Sequence, residues 1–196
     1  RANYIDIPTD CPQRDERLGW TGDAQVYMRS AAFNADIAPF HKKWIRDLND
    51  AQWPSGAYPV YAPNPINSKG ESAIRASDTF SPGWSEAGII CTYEIFRAYD
   101  DRRIVKESMN DMVRFMDFLK QRTKDGILIE GSFEDVSPKG GFADWLSIGK
   151  KASPDMLATI YYFYCNKLMY EMAVAIDDLA LAERFKSDLN QTKVNS

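Results

Sequence analysis

The sequence predicts an all-helical protein built from three helical hairpins. Apolar residues recur at helical spacing in six segments, and the connections between these segments alternate between short and long. The long connections are a loop before the first helix at residues 10–22 and two Pro- and Gly-containing loops at 52–83 and 124–153. Hairpins arranged in a ring place such loops at one end, where a rigid scaffold can carry a functional site. A solenoid of stacked hairpins is the alternative, but the sequence has no internal repeat to support it.

The individual helices are predicted from start signals and apolar faces. The fifth helix has the clearest start, because Ser153 is a favoured N-cap and Pro154 is favoured in the first turn. A short strand is predicted over Ile127–Ile129. The six helices are predicted over residues 23–33, from an N-cap at Asp36 through Leu48, over 85–99 and 103–123, from Ser153 through Met172, and from about Asp177 onward.

Composition narrows the class of protein. The 196 residues are 44% hydrophobic and 27% charged, as in an ordinary soluble globular protein, and the net charge of -4 argues against a nucleic-acid partner. No apolar stretch is long enough to predict a membrane span. The three Cys have no disulfide or zinc spacing, and one His cannot build a metal site. We therefore predict no metal, cofactor, nucleic-acid or membrane partner. The oligomeric state and the compartment, including a periplasmic or secreted location, stay open.

The segment at residues 10–23 is the best candidate for chemistry. It holds four carboxylates, two arginines and a tryptophan, interleaved with Pro and Gly. Mixed charges give each carboxylate its own electrostatic environment. Inverting glycoside hydrolysis needs one protonated carboxylic acid and a second carboxylate that activates water, and a neighbouring Trp helps to keep one acid protonated. A solvated charged surface is the plainer alternative.

The string DCPQRDERLGWTGDAQ at residues 10–25 resembles the signature of bacterial and fungal α-L-rhamnosidases, glycoside hydrolase family 78. Shorter similar segments follow within 33–63, at 83–87 and at 142–146, so the resemblance covers most of the chain. It implies an (α/α)6 barrel of six hairpins, in which residues 1–196 would be the N-terminal part, about half of the toroid. It also implies hydrolysis of terminal α-L-rhamnose, with inversion, from a rhamnose-containing oligosaccharide or glycoside.

The resemblance also implies roles for the charged residues of the first motif. Glu16 would be the general acid. Asp10 and Asp23 would bind rhamnose hydroxyls, and Arg14 would hold a carboxylate or hydroxyl in place as a forked donor. The alternatives are an ion pair between Glu16 and a neighbouring arginine, and a helix-capping role for Asp23.

The aromatic residues of the motifs are expected to form an apolar wall around the sugar and its methyl group. These residues are Trp20, Trp84 and Trp145, with core packing as the alternative for Trp84. Asp144 is expected either to bind a sugar hydroxyl or to orient Trp145.

The chain also departs from the family pattern. Glu86 stands where family members often have Asp, and Thr92-Tyr93 replace a usual Pro-Trp, so the contact made by Glu86 is left open. The family's catalytic base belongs to a later part of the barrel. We therefore expect the base to lie beyond Ser196 and the 196 residues alone to be inactive. Another toroidal glycosidase (glucosidase, fucosidase or uronyl hydrolase) and a non-catalytic helical scaffold are the competing interpretations.

Overall fold

The computed structural model describes residues 4, 6–8, 17–64, 80–124, 126–128, 141–142 and 144–192. These residues form six α-helices and one antiparallel pair of very short strands. The helices are α1 (Thr21–Asn34), α2 (Ala38–Asp50), α3 (Ala87–Tyr99), α4 (Arg102–Lys120), α5 (Pro154–Ala175) and α6 (Leu179–Gln191), and the strands are β1 (Thr123–Lys124) and β2 (Ile127–Leu128). The predicted alternation of short and long connections is confirmed.

The start of α5 lies where the sequence predicts it. The Ser153 hydroxyl accepts a hydrogen bond from the Met156 amide at 3.1 Å, and Pro154 occupies the first turn. For α2 the predicted cap is wrong by one residue, because Ile37 is the N-cap. Asp36 still accepts a hydrogen bond from the Ala38 amide at 3.2 Å, but from one position further out.

The start of α1 is set by contacts that are distant in sequence. Thr21 donates from both its backbone amide and its hydroxyl to the Val60 carbonyl, at 3.0 and 2.9 Å. Trp20 is the N-cap residue, and its backbone pairs antiparallel with that of Tyr61. The helix therefore begins two residues before the predicted Asp23. Asp23 lies exposed in the first turn, and the capping alternative for it is wrong.

Helix α3 lies at the centre of the bundle. It packs against α1, α2, α4 and α5, and α6 packs against α5. Helices α1, α3 and α5, the first members of the three hairpins, therefore form a row. Trp44 of α2 is fully buried in the core, as predicted for an apolar helix face. Other large buried side chains of the core are Phe80, Phe115, Phe118, Phe185, Met28 and Ile89.

The connection after α2 begins with a buried stretch, residues 56–62, that belongs to no helix or strand. Tyr58 and Tyr61 are fully buried there. The Tyr58 hydroxyl donates to the Asn49 side chain at 2.9 Å, and the Trp44 indole N–H donates to the Ala62 carbonyl at 2.9 Å. These bonds satisfy polar groups that burial would otherwise leave unpaired. They fix the segment that in turn fixes the start of α1.

None of the helices in the described ranges is long and apolar enough to cross a membrane.

Candidate active site

Parts of all three long loops meet beside the N-terminal ends of α1 and α3. The Phe142 amide, from the third loop, donates to the Ser81 hydroxyl, in the second loop, at 2.9 Å. The Phe142 ring also contacts Trp20, which ends the first loop. The prediction that the three loops share one side of the molecule is thus confirmed for their described parts.

Phe142 is the centre of an aromatic cluster that contains the three predicted tryptophans. Its ring centroid lies 5.5 Å from that of Trp20, 5.1 Å from that of Trp84 and 5.8 Å from that of Trp145. The rings meet edge-on or tilted, as aromatic quadrupoles favour. One phenyl ring therefore holds three indoles, contributed by three loops, in a fixed arrangement.

An open cavity of about 960 Å³ lies beside this cluster. Trp84 and Trp145 line it, and Trp145 is 60% exposed. Two carboxylates, Asp23 and Asp144, line it as well, and Tyr161 of α5 completes this part of the lining. Apolar rings and a few polar groups around one concavity are the usual make-up of a small-molecule site.

Trp84 packs directly on the first turn of α1 at Gly22. A Cβ atom at this position would lie 2.6 Å from the Cδ1 and Nε1 atoms of the Trp84 indole. Gly22 itself is buried within the helix. Glycine is therefore required here for the close approach of a ring, not for turn geometry.

A buried carboxyl group accepts a hydrogen bond from the turn that carries Trp84. Glu86 is only 1% exposed, and its Oε2 atom accepts a hydrogen bond from the Gly83 amide at 2.8 Å. Burial raises the pKa of Glu86 to about 8, so this side chain is largely protonated near neutral pH. From the other side, the Gln25 amide of α1 donates to the Gly83 carbonyl. The contact of Glu86 that the sequence left open is therefore with the neighbouring turn.

The described structure contains five of the eight predicted site residues. Trp84, Trp145, Asp23 and Asp144 line the cavity, whereas Trp20 lies behind Phe142. Asp144 also accepts a hydrogen bond from the backbone amide of Ala152, just before α5, at 3.3 Å. The remaining predictions, Asp10, Arg14 and Glu16, fall outside the described residues, and their roles stay predictions.

Four residues that shape the site have no role that was predicted from the sequence. Phe142 belongs to a motif segment, and this is the one signal that could have drawn attention to it. Gln25 and Gly22 belong to the first motif, at residues 10–25, but no role follows from it for them, and Tyr161 looks like any other apolar helix position. Tertiary packing brings Gly22 and Tyr161 to the cavity and Gln25 to the turn at Gly83.

A model of the bacterial alpha-L-rhamnosidase 6 hairpin glycosidase domain matches residues 1–195, so the chain belongs to this family. The match distinguishes it from the other toroidal glycosidases that the sequence left open. Among curated relatives, an alpha-L-rhamnosidase of Streptomyces avermitilis is 32% identical over 176 residues, covering 90% of this chain and 15% of the relative. One of Formosa agariphila is 34% identical over 146 residues, covering 74% and 14%.

Solved structures of the same family share the fold. The Dictyoglumus thermophilum alpha-L-rhamnosidase matches with a TM-score of 0.80 at 27% identity, over 97% of this chain and 20% of that one. The Streptomyces avermitilis alpha-L-rhamnosidase complexed with L-rhamnose matches with a TM-score of 0.77 at 29% identity, over 99% and 18%. This chain thus spans about a fifth or less of the length of these relatives. It has the fold of part of a six-hairpin toroid.

Proposed function

We propose that the protein to which this chain belongs hydrolyses terminal non-reducing α-L-rhamnose residues from rhamnose-containing glycosides, with inversion of configuration. The observation that carries this proposal is the cavity formed by two indoles and two carboxylates in a member of the rhamnosidase family. The names of the curated relatives and the L-rhamnose complex of a structural neighbour support the same substrate class.

The cavity matches the chemistry of a 6-deoxy sugar. Carboxylates such as those of Asp23 and Asp144 accept hydrogen bonds from sugar hydroxyls. The negative charge of Asp23 is favoured by its place in the first turn of α1, where the helix dipole is positive. Trp84 and Trp145 offer apolar surface to the sugar ring and its methyl group, a contact worth about 1–3 kcal/mol in discrimination. Specificity would then come mainly from the hydroxyl contacts.

In the proposed reaction, Glu16 protonates the oxygen of the leaving group. Asp10 and Asp23, from the same motif, bind sugar hydroxyls and set the electrostatic environment of the acid, and Arg14 holds a carboxylate or hydroxyl in place. A second carboxylate, from a part of the protein outside this chain, activates the water. Inversion places the two carboxyl groups about 6.5–9.5 Å apart, with that water between the base and the sugar.

The test is Glu16→Gln in the full-length protein. We expect kcat on an unactivated rhamnoside to fall by roughly two to four orders of magnitude, because proton transfer by a positioned acid supplies about that much. An aryl rhamnoside with a good leaving group needs less protonation and should lose less. Glu183→Gln, at an exposed position of α6, is the matched control and should leave both rates unchanged.

Equal losses on the two substrates would assign Glu16 to binding instead of proton donation. No hydrolysis of either substrate by the wild-type protein would reject the enzyme and favour a helical scaffold.

A further inference from the structure

The position of Trp84 depends on one glycine residue. Gly83 precedes Trp84 and has a φ of +86°, a conformation that side-chain-bearing residues rarely adopt. Because glycine can also adopt many other conformations, the direction of the following indole is fixed only if something else fixes Gly83.

Both peptide units of Gly83 are held by hydrogen bonds. Its N–H donates to Glu86 at 2.8 Å, and its carbonyl accepts from Gln25 of α1. One bond fixes the peptide unit before Gly83, and the other fixes the unit after it. Tyr161 covers the glycine from the α5 side, with its ring 3.5 Å from where a Cβ would be.

Glu86 does not itself line the cavity. Gly83, Trp84 and Tyr161 line the cavity next to it, whereas Glu86 is buried at the N-terminus of α3. Any influence of Glu86 on a ligand must therefore pass through the turn that it holds.

We propose that Glu86 is a positioning residue for substrate binding, which acts by fixing Gly83 and thereby aiming the Trp84 indole into the cavity. This inference rests on the proposed function, since it takes the sugar to be the ligand of the Trp84 surface. Glu86 acts here as a hydrogen-bond acceptor, and it neither donates a proton to the substrate nor activates water.

The experiment compares Glu86→Gln with Glu86→Leu in the full-length protein. Gln keeps a neutral acceptor for the Gly83 amide, whereas Leu has a similar size and leaves that buried amide unpaired. We expect Glu86→Leu to raise KM for an aryl rhamnoside, and Kd for L-rhamnose, by about tenfold, with kcat changed less than threefold. Such a split is expected when contacts made equally in the ground and transition states are lost. Glu86→Gln should stay within about twofold of wild type in all three quantities.

Two controls separate positioning from general destabilisation. Ser108→Ala removes a buried hydrogen bond with Asn49 between α2 and α4, so it should lower Tm without changing KM. In a Trp84→Ala background, Glu86→Leu should add no further loss of L-rhamnose binding, because the group that it positions is absent. Additive losses in that background, or an unchanged KM in Glu86→Leu, would overturn the proposal. A loss of kcat in Glu86→Gln as large as in Glu86→Leu would instead indicate a catalytic carboxyl group.

Amide hydrogen exchange keeps the two proposals distinguishable. The Gly83 amide should exchange faster in Glu86→Leu than in wild type or Glu86→Gln, whatever the substrate is. If the wild-type protein neither hydrolyses rhamnosides nor binds L-rhamnose, the proposed function fails, while faster exchange would still support the tether. Equal exchange in all three proteins would reject the tether itself.

Discussion

Replacement of Gly22 by alanine tests whether the indole of Trp84 is held against α1 as tightly as the structure indicates. The added Cβ would lie 2.6 Å from two atoms of the indole ring and 2.8 Å from a third. The ring cannot simply move aside, because Phe142 packs against it with 5.1 Å between centroids. Either the helix or the aromatic cluster must shift.

Two opposing effects set the magnitude of this change. Alanine is favoured over glycine within a helix by up to about 1 kcal/mol. Insertion of a methyl group into a well-packed site costs about 1–3 kcal/mol. Since Gly22 lies near the helix end, where the propensity gain is smaller, we expect the free energy of unfolding to fall by about 1–2 kcal/mol. Displacement of Trp84 should also weaken the binding of L-rhamnose.

The decisive assay is a double-mutant cycle with Trp84→Ala, measured by chemical denaturation. Without the indole the added methyl group meets no ring, so Gly22→Ala should become neutral or slightly stabilising. The coupling energy between the two positions should therefore reach about 1–3 kcal/mol. The same destabilisation in both backgrounds would refute the close packing of Trp84 on α1.

Two further predictions concern pH. Burial raises the pKa of Glu86 to about 8 from 4.5, so between these pH values the folded state keeps a proton that the unfolded state has lost. The free energy of unfolding should therefore fall by about 1.4 kcal/mol for each unit by which the pH rises between these values. Glu86→Gln should remove this dependence in denaturation curves measured from pH 5 to 9. If the free energy of unfolding changed with pH equally in the two proteins, the raised pKa of Glu86 would be contradicted. Burial lowers the pKa of the fully buried His41 to about 4 from 6.5, so between these pH values the unfolded state binds a proton that the folded state does not. The free energy of unfolding should therefore fall by up to about 3 kcal/mol as the pH drops from 6.5 to 4. His41→Phe should lose that component of the acid destabilisation, and an unchanged difference between pH 7 and pH 4 would count against it.

Local sequence signals predicted the helices well wherever the determinants are themselves local. The start of α5 is an example, since Ser153 and Pro154 act within one turn. The start of α1 was misplaced because Thr21 bonds to Val60, 39 residues away, and no local pattern contains that contact. The start of α6 was placed at Asp177, but Asp178 caps the helix, which begins at Leu179.

The candidate site was predictable to the extent that motif residues line the cavity themselves. Asp23, Trp84, Trp145 and Asp144 do so, and each stands in a segment that resembles the family. The supporting residues could not be predicted in the same way. Phe142 and Tyr161 have roles only because hairpins distant in sequence bring them beside the tryptophans or the cavity. The tertiary arrangement of side chains, which no spacing encodes, decided these roles.

The buried stretch after α2, residues 56–62, has a consequence for attempts to alter substrate preference by exchanging loops. Loops at a functional site are usually the easiest parts of a protein to lengthen, shorten or graft, because they lie on the surface. Here Tyr58 and Tyr61 are as fully buried as the core side chains of the helices. Thr21 and Trp44 donate hydrogen bonds to backbone carbonyls of this segment. A graft that replaced it would remove part of the hydrophobic core together with the anchor of α1. Engineering of the pocket would best retain this stretch and vary exposed positions such as Trp145 instead.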